Sequence, residues 1–103
     1  MMSNICLILT TTDNKIVAEN IASKLVEKNL AKCVQIDRVS SYFRWENKIS
    51  VTEEFRLTIK TQAKNYLSIE EYIIKNHNYQ LPQIISIDVS EGYCEYLKWI
   101  KGE

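Results

Sequence analysis

The side chains best suited to metal chemistry in this sequence are few and widely spaced. Cys33 and His77 offer a thiol and an imidazole, while Asp37, Glu53 and Glu54 offer carboxylates. Copper and zinc take thiolate and imidazole ligands, so Cys33 and His77 are the candidate metal ligands. Glu53 and Glu54 point to opposite faces of one predicted strand and do not chelate one ion as a pair. The structural alternative is a buried strand thiol and a loop-capping histidine.

Patterns for nucleophilic catalysis and for phosphate binding are weak. The single histidine has no evident serine or cysteine partner in the sequence. The loop after the first predicted strand, Thr10 to Asp13, lacks glycine and arginine. An acyl-phosphate hydrolase would need both there to cradle an oxyanion. Spacing alone therefore identifies no enzyme.

The charge balance opposes a nucleic-acid or membrane partner. Lys plus Arg number 13, Asp plus Glu number 13, and the formal net charge is zero. Binding to nucleic acid or to an anionic membrane surface draws on a concentrated basic field. The predicted third strand carries Glu53-Glu54-Phe55-Arg56 without glycine, unlike the basic, glycine-containing strand of a sheet that stacks RNA bases. We expect neither partner.

Cysteine usage and the start of the sequence indicate a cytoplasmic protein. Three widely spaced cysteines, Cys6, Cys33 and Cys94, do not form a disulfide framework. Residues 1–9 lack the basic start and small-residue cleavage site of a signal peptide. No apolar run approaches the roughly 18 residues of a membrane span.

The elements that must position these side chains centre on residues 31–61. Two runs with alternating apolar residues flank a Glu46-Asn47-Lys48 reversal, which predicts a β-hairpin. Each run has about 13 to 15 residues, so the hairpin would reach on the order of 45 Å. A compact chain of this size is only ~33 Å across. The apolar tip, with Trp45, must therefore find cover on another copy of the chain.

The remaining patterns complete a single α+β domain over residues 1–103. Together they predict a ferredoxin-like β-α-β-β-α-β plait with a C-terminal helix, both crossover helices on one sheet face and the other face bare. The predicted elements beside the hairpin are strand Asn4–Thr11, helix Lys15–Asn29 capped by Thr12 or Asp13, helix Lys64–Asn76, strand Gln83–Val89 and helical turns Tyr93–Lys101.

An ordered set of short motifs resembles the CutA divalent-cation tolerance proteins. The motifs are AKCVQI from Ala31, YFRWENKI from Tyr42, Glu54, IKT from Ile59, HNYQLPQII from His77 and YLKWI from Tyr96. The resemblance implies a ferredoxin-like subunit in a homotrimer similar to the PII signal proteins. It also implies copper or divalent-metal tolerance, with no established enzymatic activity.

The resemblance implies which residues of this sequence correspond to the functional positions of the family. Cys33 matches the family cysteine early in the second strand, and His77 and Tyr79 match its His-Pro-Tyr motif. Glu54 and Lys60 match its acidic and basic third-strand positions. Two residues depart from the family: Asn78 replaces the usual proline and is expected to loosen the loop holding His77. Asn47 replaces the usual turn glycine, which the turn tolerates.

Two functions follow as hypotheses. The first is a non-enzymatic, homotrimeric protein of divalent-metal tolerance that binds copper or another divalent cation through Cys33 and His77, with no metal required for folding. The alternative is a PII-like small-molecule sensor or interaction scaffold. Its inter-subunit clefts would be lined by Trp45, Glu54, Lys60 and Tyr79.

Overall fold

The computed structural model describes residues 3–103 and shows a four-stranded antiparallel sheet with helices packed on it. Its strand order, β2-β3-β1-β4, is that of the predicted ferredoxin-like plait. The elements run in the order β1 Ile5–Thr12, α1 Lys15–Glu27, β2 Cys33–Trp45, β3 Lys48–Gln62, a 3-10 turn Ala63–Asn65, α2 Tyr66–Asn76, β4 Ile85–Val89 and α3 Cys94–Lys101.

The core lies between one face of the sheet and helices α1 and α2. Alternate residues of β1 and β3 point to this face, as the period of two in a strand requires. The stripe on α1 recurs at three- and four-residue spacing, as predicted. The fully buried apolar side chains of this core are Cys6, Ile8, Ala18, Ile21, Leu25, Leu57, Ile59, Ile69 and Ile73.

The hairpin formed by β2 and β3 extends well past the core. The molecule measures 46 × 26 × 22 Å, which matches the length predicted from the two runs. Strand β1 stops at Thr12, opposite Phe55, whereas β3 continues to Lys48 paired only with β2. We call the part of the hairpin beyond β1, residues 39–54, the arm.

The turn of the arm has the left-handed geometry that its sequence predicts. Glu46 and Asn47 have φ angles of 51° and 62°, the pair of positive values that a two-residue type I′ turn needs. Asn47 tolerates this conformation because its short polar side chain reaches local backbone groups. Replacing the usual turn glycine with Asn47 therefore leaves the turn intact.

Several predicted boundaries were wrong by a few residues. The N-cap of α1 is Asn14, whose side chain accepts a hydrogen bond from the backbone N–H of Val17 at 3.1 Å, and not Thr12 or Asp13. Helix α2 begins only at Tyr66, after a 3-10 turn, and β4 begins at Ile85 because the segment before it stays a loop.

The sheet face opposite the core is not entirely bare, contrary to prediction. Helix α3 packs against β3 and β1 there, and Lys60 Nζ lies 3.2 Å from the Tyr96 hydroxyl. The face remains open beside β4, where Ile85 and Ile87 are exposed. No helix among residues 3–103 has the length and apolar character needed to cross a bilayer.

Candidate functional site

A cleft of about 820 Å³ lies between the arm and the loop that joins α2 to β4. The arm forms one wall of this cleft. Because β1 ends at Thr12, the outer half of β3 pairs only with β2 and has a free edge. The loop, residues 77–84, forms the other wall and contacts β3 at Glu54, just beyond the end of β1. Trp45, Glu54 and Tyr79, three of the four residues predicted for a ligand cleft, line this space.

Glu54 and Tyr79 join the two walls. The Tyr79 hydroxyl donates a hydrogen bond of 2.6 Å to Glu54 Oε2. Glu54 is only 8% exposed, although it lies on β3 one residue past the end of β1. Burial of the phenol, and then its bond to the Glu54 carboxylate, raise the pKa of Tyr79 above the ordinary tyrosine range. Tyr79 is therefore a firmly protonated donor.

Lys60, the fourth predicted cleft residue, lies elsewhere. It is six positions along β3 from Glu54, roughly 20 Å at strand spacing. Its ammonium group lies over the Tyr96 ring, 5.3 Å from the centroid, on the side covered by α3. Among residues 3–103 no basic side chain lines this cleft within one subunit, whereas the clefts predicted to contain Lys60 lie between subunits.

His77 uses both ring nitrogens to shape the loop. Its Nδ1 accepts a hydrogen bond of 2.9 Å from the backbone N–H of Tyr79. Its Nε2 lies 2.8 Å from the carbonyl oxygen of Thr11. The neutral tautomer with the proton on Nε2 satisfies both contacts. A metal ion would have to displace one of these bonds to reach the imidazole.

Asn78 tethers the loop that its replacement of proline was expected to loosen. Its Oδ1 accepts from the Thr12 hydroxyl at 2.5 Å, and its Nδ2 donates to Asp13 Oδ1 at 2.8 Å. These bonds attach the loop to the end of β1, so they oppose the expected loosening. The loop is held through side-chain hydrogen bonds instead of a proline ring.

Cys33 and His77 are not brought together within one chain. Cys33, at the start of β2, pairs with Lys60 of β3, which in turn pairs with Leu7 of β1. His77 contacts Thr11, four positions farther along β1. This offset is about 13 Å along the strands. Within residues 3–103 no group of three or more His, Cys, Asp or Glu side chains has metal-site geometry. Within one chain, Cys33 and His77 could each provide only a single metal ligand. A closed copper site would need ligands from another subunit.

Ser41, Phe43 and Thr52 also line the cleft, although they were not predicted there from the sequence. Ser41 and Phe43 share the parity of Trp45 on β2, and Ser41 is the register partner of Thr52. Because side chains of one parity point to one face of a strand, this alternation was the available signal. The position of the loop against the arm was not predictable from spacing.

Comparison with known proteins identifies the family. Residues 6–103 match the family model described as CutA1 divalent ion tolerance protein. The divalent-cation tolerance protein CutA of Archaeoglobus fulgidus is 39% identical over 83 residues, which cover 81% of each chain. Its counterpart from Thermus thermophilus is 34% identical over 95 residues, covering 91% of this chain and 92% of that one.

Solved structures agree with this assignment. CutA1 from Shewanella sp. SIB1 superposes with a TM-score of 0.93 at 37% identity, covering 99% of this chain and 96% of that one. The Archaeoglobus protein, described there as a periplasmic divalent cation tolerance protein, gives a TM-score of 0.92 at 35% identity, covering 95% and 96%. The fold, the ordered motifs and the matched length lead to one conclusion. This chain belongs to the CutA1 family of divalent-ion tolerance proteins.

Proposed function

We propose that this protein acts in the tolerance of divalent metal ions, as a homotrimer and without catalysis, in the cytoplasm. The observation that carries the proposal is membership of the CutA1 family over residues 6–103. The names of the Archaeoglobus and Thermus relatives state divalent-cation tolerance, which supports the same role here.

The arm supports assembly. It projects beyond the core, and Tyr42, Trp45 and Ile49 near its tip are 74%, 54% and 72% exposed in the single subunit. By strand parity Tyr42 and Ile49 lie on one face of the arm and Trp45 lies on the other. Large apolar side chains exposed together in this way in a soluble protein mark an interface. Packing the arm on neighbouring subunits would cover them, and a closed trimer would use the same surface in every copy.

Copper or another divalent cation is the proposed ligand, with Cys33 and His77 as its candidate ligands. Thiolate and imidazole select copper over magnesium and calcium. Their separation within one chain means that each would be completed by groups from a second subunit. Folding requires no metal in this proposal, because the buried core of apolar side chains is complete without one.

Copper titration of the freshly reduced protein tests the metal proposal. We expect saturable binding by the wild-type protein and a clear loss of affinity in Cys33→Ser or His77→Ala. Light scattering must show that each variant remains assembled. Cys94→Ser is the matched control, because Cys94 is an exposed thiol at the start of α3. Equal copper affinity in both variants and the control would remove Cys33 and His77 as ligands.

The second candidate function is small-molecule sensing through the cleft beside the arm. The observation that favours it is the hydrogen bond between Tyr79 and Glu54 inside a space of about 820 Å³. Cavities of roughly 300–1,000 Å³ with a few fixed polar groups are typical of small-ligand sites.

A further inference from the structure

The ring of His77 is oriented like that of a metal-ligating histidine, but its lone pair is already in use. In the tautomer that satisfies both of its contacts, Nε2 donates its proton to the carbonyl oxygen of Thr11 at 2.8 Å. Metal-ligating histidines almost always donate their second ring N–H to a carbonyl or a carboxylate, which fixes the tautomer and the ring orientation. The other nitrogen, Nδ1, carries the lone pair that a metal ion takes. Here that lone pair accepts the backbone N–H of Tyr79 at 2.9 Å.

Tyr79 connects this lone pair to β3. Its backbone N–H is bonded to His77 Nδ1, and its hydroxyl is bonded to Glu54 Oε2 at 2.6 Å. The two rings also contact each other, with centroids 4.9 Å apart. One lone pair cannot serve an N–H and a metal ion together, so ligation at Nδ1 requires the amide of Tyr79 to move away. Movement of this residue relative to β3 disturbs its hydroxyl bond to Glu54.

Asn78 confines the movement to the part of the loop that follows it. Its side chain is bonded to Thr12 and Asp13 at the end of β1, and these bonds involve neither Nδ1 nor Tyr79. The Nε2 contact with Thr11 is also independent of the Nδ1 lone pair. His77 therefore stays at the end of β1 while the segment from Tyr79 onward is released.

We propose that Tyr79, with its bonds to His77 and Glu54, is a metal-responsive latch. Ligation of a divalent ion by His77 Nδ1 releases the N–H of Tyr79 and weakens the bond that links the loop to β3. This inference rests on the proposed metal function and adds how an occupied site changes the surface beside the arm. Coupling between two equilibria is reciprocal, so removing the bond between Tyr79 and Glu54 strengthens metal binding at His77.

Zinc titration of the reduced, assembled protein tests this reciprocity. Zinc takes imidazole ligands and does not change oxidation state, so it leaves the thiols reduced. Tyr79→Phe keeps the backbone N–H and the ring but loses the hydroxyl, and it should bind zinc about 5-fold or more tightly than wild type. Tyr66→Phe is the matched control, because the Tyr66 hydroxyl donates a similar bond of 2.7 Å to Glu70 on α2. It should leave the zinc affinity unchanged.

Amide hydrogen exchange measures the release of the loop directly. Saturating zinc should speed exchange in residues 79–84 of the wild-type protein and leave helix α1 unchanged, because local opening exposes only the amides that lose their contacts. Magnesium, which prefers oxygen ligands, should produce no such change. In His77→Ala, zinc should no longer alter exchange in these residues. Thermal melting and light scattering establish that each variant is folded and assembled.

The outcomes separate the latch from the metal site. Zinc binding that depends on His77 but is no tighter in Tyr79→Phe, with unchanged exchange in residues 79–84, would overturn the latch and keep the site. Equal zinc affinity in wild type and His77→Ala would overturn both. Slower exchange with zinc would show that the ion orders the loop, and it would also overturn the latch. The exchange measurement on wild type decides even if a variant does not assemble.

Discussion

The Tyr79 hydroxyl lies 2.6 Å from Glu54 Oε2, and this bond fastens the loop after α2 to β3 beyond the end of β1. The bonds of His77 and Asn78 to the end of β1 hold the same loop, so the Tyr79–Glu54 bond is the one that links it to β3. Tyr79 is therefore the first residue to test.

Tyr79 should remain protonated through the pH range in which free tyrosine ionises. Its pKa is raised by burial and by the Glu54 carboxylate, so the folded state holds this proton more tightly than the unfolded state. The associated stability is present below the ordinary tyrosine pKa of about 10 and is lost as the pH rises above it toward the folded value. We therefore expect alkaline destabilisation of the wild-type protein.

Phenolate absorbance measures the Tyr79 titration. In native protein, Tyr79→Phe should leave the amplitude below about pH 10.5 unchanged, because Tyr79 does not ionise there. The stability of this variant should also fall less steeply with alkaline pH. A lower amplitude in Tyr79→Phe than in wild type below about pH 10.5 would show that Tyr79 titrates freely.

The protein should be a trimer at micromolar concentration. The reason is the exposed apolar arm, which no element of its own chain covers among the described residues. Light scattering should give about three times the chain mass of 12.1 kDa, and dilution should not readily reduce it. A single species with the mass of one chain would contradict the proposed trimer.

Trp45→Ala should weaken assembly before it disturbs the subunit fold. Trp45 is 54% exposed in the single subunit, and packing it against a neighbour would bury a large aromatic surface. Truncation of a well-packed tryptophan costs about 3–5 kcal/mol. The thermal midpoint of the trimer should fall by several degrees, while far-ultraviolet circular dichroism stays the same.

An apolar truncation away from the arm provides the comparison for Trp45→Ala. Ile16 is exposed on the first turn of α1, and Ile16→Ala should have little effect on the assembled state. If Trp45→Ala leaves the midpoint within a degree or two of wild type, the tip of the arm is not an interface anchor.

Asn78→Ala should loosen the loop that holds His77. The change removes the hydrogen bonds to Thr12 and Asp13, and leaves the Thr12 hydroxyl with one partner fewer. We expect a loss of about 1–3 kcal/mol and faster amide exchange in residues 77–84. Asn20→Ala, on the exposed face of α1, should be neutral or slightly stabilising because alanine favours helix. Unchanged exchange in Asn78→Ala would show that the two bonds do not order the loop.

The sequence predicted the fold because its strongest patterns are local. The alternation on β2 and β3, the helical stripe on α1 and the Asn47 turn each depend on neighbours in the chain, and the structure confirmed all three. Boundaries were less predictable because caps depend on which oxygen reaches a backbone N–H. Asn14, Asp13 and Thr12 are all suitable residue types, and only the geometry selects Asn14.

The candidate site was partly predictable for the same reason. Trp45 and Glu54 share one hairpin, so their common location followed from the strand pattern. Tyr79 joins them from a loop 25 positions away in the chain, whereas Lys60 lies six positions along β3 from Glu54 and does not line the cleft within one subunit. Contacts between residues so far apart in the sequence depend on where β1 ends. The sequence predicted that end at Thr11, but it did not indicate that the loop after α2 would lie beside the free edge of β3.

Beyond β1 the arm is a two-stranded ribbon whose side chains alternate between its faces. Deleting one residue from a single strand would transfer every residue on the tip side to the opposite face. Phe43 and Trp45 would then exchange faces with Tyr42 and Arg44. Removing two residues from each strand preserves both the faces and the Glu46-Asn47 turn. Insertions and deletions in this arm should therefore be tolerated only in such paired steps, which gives a rule for shortening it by engineering.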